Sequence, residues 1–145
     1  MLAFHMMNQN ARDHLLKRTQ VNRVGTLCMF AVRNIFSRAG LLKETVADLV
    51  AEGRLARGSV DLEEPLGFLV HEGGASSLID AAYRFVRHEP GIDVVLFGTS
   101  SVAHLKANIA SILRPPLPAA DVEKLYSLFG HLTGVGLDLP DRVKG

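Results

Sequence analysis

Two short runs of apolar residues, each followed by a helical pattern, constrain the fold of this chain more than any other feature. Residues 24–32 read VGTLCMFAV and residues 93–97 read DVVLF. Short apolar runs of this kind are typical of strands buried on both faces of a parallel sheet. Apolar residues at helical spacing then predict an amphipathic helix that ends at Gly53 and, after the second run, a helix over residues 102–113. This alternation indicates an α/β fold with parallel strands.

The remaining segments extend the same order of elements. We predict a strand at residues 2–7 and helices at residues 11–20, 76–88 and 120–129. Residues 54–74, which carry several glycines, predict a long surface excursion with an extended piece at residues 66–70. The pattern divides the chain into a folded part, residues 1–130, and a flexible C-terminal tail, residues 131–145.

Composition and charge narrow the classes of protein that the chain can belong to. With 145 residues, of which 48% are hydrophobic and 21% charged, it is neither a disordered chain nor long enough for two substantial domains. No apolar run approaches the roughly 20 residues that cross a bilayer. The net charge of +1 provides no overall field that would attract nucleic acid or an anionic membrane. Any anion-binding site must therefore be local.

The lone cysteine and the N-terminus bear on the compartment. Cys28 lies inside the first apolar run, so we expect a buried thiol and no disulfide within the chain. The first seven residues lack the basic segment and cleavage site of a signal peptide. Both observations favour a reducing, cytoplasmic location.

The segment after the second apolar run carries the strongest local signal for function. Gly98, Thr99, Ser100 and Ser101 lie between the predicted strand and the predicted helix. Free amides at a helix N-terminus and the helix dipole favour an anion there, and hydroxyl groups can donate hydrogen bonds to phosphate oxygens. The alternative is that Ser100 or Ser101 only caps the helix, since serine is preferred at that position for its own sake.

These residues also resemble a known family. The stretch VVLFGTSSVAHLKANI (residues 94–109), preceded by AAYRFVRHEPGID (residues 81–93), resembles the eighth strand and the following helix of the aldo/keto reductases. Residues 4–16 are similar to the end of the family's sixth strand and its helix, residues 23–42 to its seventh-strand region, and residues 117–130 to its closing helix. The resemblance covers almost the whole chain and is most specific at residues 94–109.

The resemblance implies a (β/α)8 TIM barrel, of which this chain would form the last half, beginning inside strand six. It implies NADP(H) as the cofactor, with the adenosine 2′-phosphate held by the loop after strand eight. This agrees with the tendency of such barrels to bind phosphate after strands seven and eight. By the family's motif, the phosphate loop would be Gly98, Thr99, Ser100 and Ser101, His104 would face the 2′-phosphate, and Asn108 would contact the adenine.

The chain departs from the family's motifs near strand seven. Met29 occupies the position of the aromatic residue that stacks on the nicotinamide ring, with Phe30 beside it, although a residue in a buried strand is more often part of the core. Arg33 and Arg38 follow this strand and are candidates either for contacts with the cofactor pyrophosphate or for ordinary surface charge. The family often has Lys or Arg where this chain has Gly98 and His104, and an acid where it has Ala107, which leaves the cofactor affinity and the preference between NADP(H) and NAD(H) open.

The family's catalytic residues have no counterpart in this chain. The family uses a Tyr, a Lys, a His and an Asp, all from the first half of the barrel, which no part of this chain matches. Tyr83 and Tyr126 lie on predicted helices, where core or surface roles are expected, so we assign no catalytic residue. The histidines lack the spacing of metal ligands, and no metal site is predicted.

The resemblance therefore implies an NADP(H)-dependent oxidoreductase that converts a carbonyl to an alcohol, present here as a C-terminal portion that keeps the phosphate loop and lacks the catalytic tetrad. Two alternatives stay open: a half-barrel that binds a nucleotide or phosphate without catalysis, and an inactive truncation with exposed strand edges. The expected partners are the nicotinamide dinucleotide phosphate and either an N-terminal half-barrel chain or a second copy of this chain.

Overall fold

A computed structural model of the protein describes residues 1–137 and combines short strands with longer helices. In chain order the elements are β1 (Leu2–Ala3), a π-helical turn (Arg12–Leu16) that continues into α1 (Lys17–Val21), β2 (Leu27–Met29), α2 (Asn34–Ser37), α3 (Ala39–Ala51), a 3₁₀ turn (Gly67–Leu69), α4 (Leu78–Arg87), β3 (Val94–Val95), α5 (Val102–Leu113) and α6 (Ala119–Phe129).

The strands form one parallel sheet in the order β1-β2-β3. Leu2 lies opposite Cys28 across the first pair, and Leu27 lies opposite Val94 across the second. Because a helix lies between each strand and the next, the chain returns to the same end of the sheet before each new strand begins. The predicted α/β fold with parallel strands is confirmed.

The strands are shorter than the apolar runs that predict them. Phe30 directly follows β2 and has a φ of 71°, a backbone conformation that residues other than glycine rarely adopt. This conformation ends the regular strand pairing. At the other end of β2, the Thr26 hydroxyl donates to the Gly91 carbonyl at 2.6 Å, and the Thr26 amide donates to the Asp93 carboxylate at 2.7 Å. Side-chain bonds therefore align β2 and β3 where the ladder begins.

The expectation that these strands are buried on both faces is wrong. Leu27 is 40% exposed, Val94 is 45% exposed and Leu96 is 39% exposed. Within residues 1–137, these side chains stay partly open to solvent, whereas Cys28, whose side chain points to the opposite face of the sheet from Leu27, is fully buried. Apolar composition predicts a strand, but its burial depends on what packs against it.

The long helices lie close to their predicted bounds, because their end signals are strong. Ser77 and Ser101 cap α4 and α5, each accepting a hydrogen bond from the amide three residues later. Gly53 follows α3 with a φ of 71°, which favours glycine. The extended piece predicted at residues 66–70 is instead the 3₁₀ turn, and the short helix α2 lies in a segment for which we predict none.

The core lies between the sheet and α4, which is buried along most of its length. The Phe4 ring stacks on Phe85 with 5.8 Å between centroids, and Phe85 meets Tyr126 edge to face at 5.9 Å. α4 therefore joins the segment after β1 to α6. Leu132 and Val135, from the predicted tail, are also buried. The remaining tail residues, 138–145, lie outside the described residues, and the division of the chain at residue 130 stays a prediction.

Candidate functional site

A cleft of about 720 Å³ lies beside the carboxyl end of β3, between α4 and α5. Gly98 and Thr99 line one end of it, directly after β3. His104 and Asn108 lie one helical turn apart and line the wall that α5 provides. Four of the seven predicted cofactor-binding residues thus border one cavity.

Local hydrogen bonds explain how the sequence builds this end of the cleft. The Leu96 amide donates to the Cys28 carbonyl at 2.8 Å, which keeps the chain beside β2 until the loop begins. Thr99 Oγ1 then accepts the Ser101 amide at 3.1 Å, and Ser101 Oγ accepts the His104 amide at 3.3 Å. The capping role of Ser101 is therefore confirmed. A hydroxyl that accepts a backbone N–H keeps its own proton to donate, so capping and anion binding are compatible.

The space in front of the loop is open. A side chain built at Gly98 would meet no atom within 4 Å, and the φ of Gly98 lies outside the left-handed region. Neither packing nor backbone strain within the described chain requires glycine here. Asn108 is half-buried, and its amide has no hydrogen-bond partner among residues 1–137. An amide on a cleft wall without a protein partner is available to a ligand that offers both a donor and an acceptor.

The other predicted residues lie away from the lining of this cleft. Ser100 is exposed on the loop, while Ser101 is half-buried as the helix cap. Met29 is half-buried at the end of β2. The Arg33 guanidinium lies 4.3 Å from the centre of the Phe30 ring, and its Nε donates to the Gly136 carbonyl at 3.3 Å. Arg38 is exposed between α2 and α3.

The far end of the cleft contains a charged cluster that sequence reasoning missed. Asp80, only 2% exposed, accepts hydrogen bonds at Oδ2 from the Ser76 amide at 3.0 Å and from Arg114 Nη1 at 3.0 Å. Burial by itself would raise the pKa of Asp80, but hydrogen bonds from the Ser76 amide and the Ser111 hydroxyl, together with the Arg114 guanidinium, outweigh it and lower the pKa. The spacing of Asp80 and Arg84 along α4 was a signal in the sequence. The contact with Arg114 was not, because it joins two helices.

The side chains of Tyr83 and Tyr126 are held by contacts with other residues of the protein. Tyr83 also lines the cleft, where its ring meets Phe97 edge to face at 5.8 Å, and burial raises the pKa of its hydroxyl. The Tyr126 hydroxyl donates to Glu89 at 3.1 Å, and burial followed by the Glu89 charge raises its pKa. Their contacts therefore agree with the core and surface roles expected of them.

Three further features of the described residues concern metal binding, thiol ionisation and membrane spans. Among residues 1–137, no group of three or more His, Cys, Asp or Glu side chains could hold a metal ion. Burial raises the pKa of the Cys28 thiol to about 12, so the thiol is protonated at neutral pH. No helix in this part of the chain is both long and apolar enough to span a membrane.

Comparison with known proteins adds to the description of the fold. Neither a protein-family model nor a curated protein matches the chain. Among solved structures, the chain is similar to the apo form of aldo-keto reductase AKR11C1 from Bacillus halodurans, with a TM-score of 0.57 and 16% identity over 90% of this chain and 43% of that one. The holo form of the same protein gives a TM-score of 0.55 and 16% identity over 92% and 44% of the two chains.

The chain thus spans less than half of the length of the structures that it matches. At this level of identity, the similarity concerns the fold alone. The parallel strands and surrounding helices of this protein correspond to part of a (β/α)8 barrel of the kind that aldo-keto reductases form.

Proposed function

We propose that this chain is the C-terminal portion of an aldo/keto reductase-like oxidoreductase and that its cleft binds the adenosine phosphate end of NADP(H). The observation that carries the proposal is the convergence of Gly98, Thr99, His104 and Asn108 on one cavity beside the carboxyl end of a parallel strand. Ligands of α/β barrels bind at that end of the strands. The similarity to aldo-keto reductase structures, one of them a holo form, supports a nicotinamide cofactor.

In this proposal each residue has a separate task. The hydroxyls of Thr99, Ser100 and Ser101 donate to phosphate oxygens, and the absence of a side chain at Gly98 lets the phosphate approach the backbone. His104, on the first turn of α5, faces the 2′-phosphate. Asn108 pairs with the adenine through its free amide, and Met29 lies against the nicotinamide.

When bound, NADP(H) supplies a hydride for the reduction of a carbonyl. The residues of this chain bind and orient the cofactor, and the group that donates the proton comes from outside this chain. The buried thiol of Cys28 is compatible with the reducing cytoplasm in which we expect the protein to act.

Titration with NADPH, followed by its fluorescence, tests the proposal. The expected result is saturable binding that Gly98→Val weakens at least about tenfold, because the new side chain fills the space kept for the phosphate. Gly25→Val is the matched control, since Gly25 is also exposed, has an ordinary φ and lies away from the cleft. Asn108→Leu should weaken binding about fivefold, the effect of one hydrogen bond. No saturable change at millimolar NADPH would refute the proposal.

A second candidate is a half-barrel that binds a nucleotide or phosphate without catalysis, since the proposed binding residues all belong to this chain and we assign it no catalytic residue. Carbonyl-dependent oxidation of NADPH distinguishes the two functions. The oxidoreductase should show this oxidation once the complementary half of the barrel is added, whereas the binding module should not. A protein that binds no nucleotide at all would instead be the inactive truncation.

The exposed apolar residues of β2, β3 and α5 form a surface on which we expect a partner chain to pack. Beside the exposed strand residues, α5 presents Val102, Leu105, Ile109 and Leu113 to solvent, from 40% to 78% exposed. An uncovered face of this kind favours association with the complementary half of a barrel or with a second copy. Sedimentation of the purified chain, alone and with an N-terminal half-barrel, measures which association occurs. A monomer that melts cooperatively and binds neither would contradict the expectation.

A further inference from the structure

The end of the cleft opposite the loop has its own set of polar side chains. Ser76, Asp80, Ser111 and Arg114 line it, from the start of α4 and the end of α5. His104 and Arg114, which line the two ends of the cleft, are ten residues apart along α5 and its C-terminal end, and a rise of 1.5 Å per residue separates them by roughly 15 Å. The far end is therefore distinct from the proposed phosphate loop.

This cluster holds an excess of positive charge. Oδ2 of Asp80 lies 3.4 Å from Arg84 Nη1 and 3.0 Å from Arg114 Nη1. The lowered pKa of Asp80 keeps its carboxyl ionised at neutral pH. One carboxylate between two guanidinium groups leaves one positive charge uncompensated within the cluster.

The two arginines differ in what their donors do. Arg84 is buried, and its Nε, Nη1 and Nη2 donate to the carbonyls of Pro115, Gly74 and Pro116 at 2.8 to 2.9 Å. The side chain of Arg114 is 47% exposed. Its Nη1 donates to Ser76 Oγ and to Asp80, whereas its Nε and Nη2 have no partner among residues 1–137.

Asp80 and Ser76 hold the Arg114 side chain in place and leave its remaining donors available to a ligand. The side chain of Asp80 is only 2% exposed, so it holds Nη1 while presenting almost no carboxylate surface to the cleft. Ser76 Oγ accepts from Arg114 and therefore retains its own proton as a donor. The cluster thus offers unpaired guanidinium donors, a hydroxyl donor and a net positive charge in one cavity.

We propose that Arg114, with the hydroxyl of Ser76, forms a second oxyanion subsite that binds phosphate at this end of the cleft. A guanidinium with two free donors suits the paired oxygens of such a group. The oxyanion is either free phosphate or a phosphate of a nucleotide that lies along the cleft. The subsite does not rest on the proposed cofactor function, because none of its residues belongs to the loop after β3.

Titration of the full chain with inorganic phosphate at constant ionic strength tests this subsite, with the NMR signal of the Arg114 Nε–H group as the probe. We expect a saturable shift that sodium chloride does not reproduce. Arg114→Gln should weaken phosphate binding, measured by calorimetry, at least about tenfold, the effect of losing a charge-assisted hydrogen bond. Arg87→Gln is the control, since Arg87 is exposed on α4 outside the cleft.

A second variant keeps the test decisive if Arg114→Gln does not fold. Asp80→Asn raises the net charge of the cluster from one to two and should tighten phosphate binding about threefold or more. If the contacts of Arg114 serve only to join α4 and α5, Asp80→Asn should not tighten phosphate binding. An Arg114 signal that does not saturate, or phosphate binding that neither variant changes, would overturn the proposal.

The source of the oxyanion follows from competition with 2′,5′-ADP. If this nucleotide displaces phosphate from Arg114, the subsite serves a nucleotide phosphate; if both bind together, it serves a separate phosphate. His104→Gln, which alters only the other end of the cleft, should leave phosphate binding at Arg114 unchanged. Failure of the cofactor proposal and failure of this one therefore give different results.

Discussion

Acidification should destabilise the protein through His5, which is fully buried after β1. Its Nδ1 accepts the Met7 amide at 3.2 Å, and its ring meets Phe36 edge to face at 5.3 Å. A charged ring needs a proton on Nδ1, where the Met7 amide already donates. Burial, opposed by a hydrogen bond with the Val135 backbone and assisted by the Arg33 charge, lowers the pKa of His5 to about 4.

The magnitude follows from the difference between the folded and unfolded pKa values. Between pH 6.5 and about 4 the unfolded chain binds a proton at His5 that the folded chain does not, so stability rises with pH across this window. The contribution is fully present above pH 6.5 and is lost as the pH falls. Relative to neutral pH, the loss is about 1 kcal/mol at pH 6, about 2 kcal/mol at pH 5 and about 3 kcal/mol at pH 4.

Urea unfolding, followed by far-ultraviolet circular dichroism at constant ionic strength from pH 7 to pH 4, measures this loss. His5→Gln is neutral at every pH, so the difference in unfolding free energy between it and the wild type should shrink by about 3 kcal/mol over this range. His14→Gln is the control, because His14 is exposed. A difference between wild type and His5→Gln that stays constant with pH would show that folding does not lower the pKa of His5.

Three further predictions concern buried contacts. Arg12 holds the buried Glu89 carboxylate at 2.7 and 2.9 Å, so Arg12→Gln should lower the free energy of urea unfolding by about 3 kcal/mol. Lys17→Gln, which breaks an exposed ion pair, should change it much less. Gly91 has a φ of 93° and little space beside Gln20, so Gly91→Ala should lower the melting temperature by roughly 5 °C or more. Cys28 is fully buried with a raised pKa, so a thiol reagent should modify it only as fast as the protein opens; rapid labelling in the absence of urea would contradict its burial.

The sequence predicts the helices well because the signals for their ends are local. The Ser101 cap and the arginine-proline pair after Leu113 define α5 within a few residues of chain. The strands are predicted in position but not in length, since Phe30 adopts a positive φ that no local signal indicates. The candidate site likewise has one part that the sequence predicts and one part that it does not. Gly98, Thr99, His104 and Asn108 lie within one strand–loop–helix segment, so their proximity on one cleft wall follows from the local sequence.

The opposite wall of the cleft could not be predicted, because its residues come from different parts of the chain. Asp80 and Arg114 are far apart in sequence, and they meet only because α4 packs against α5. The exposure of Leu27 and Val94 is likewise a tertiary property, since it depends on which side of the sheet the helices cover.

Local sequence is enough to specify the α/β class, the parallel order of elements and the loop that follows β3, because apolar periodicity, caps and turns act over a few neighbouring residues. Three properties depend instead on tertiary packing: which apolar side chains are buried, why Arg114 keeps free donors while Arg84 does not, and why His5 stays uncharged. Those properties arise from solvent exclusion and from contacts between distant segments, whose free energies depend on packing in three dimensions rather than on local sequence.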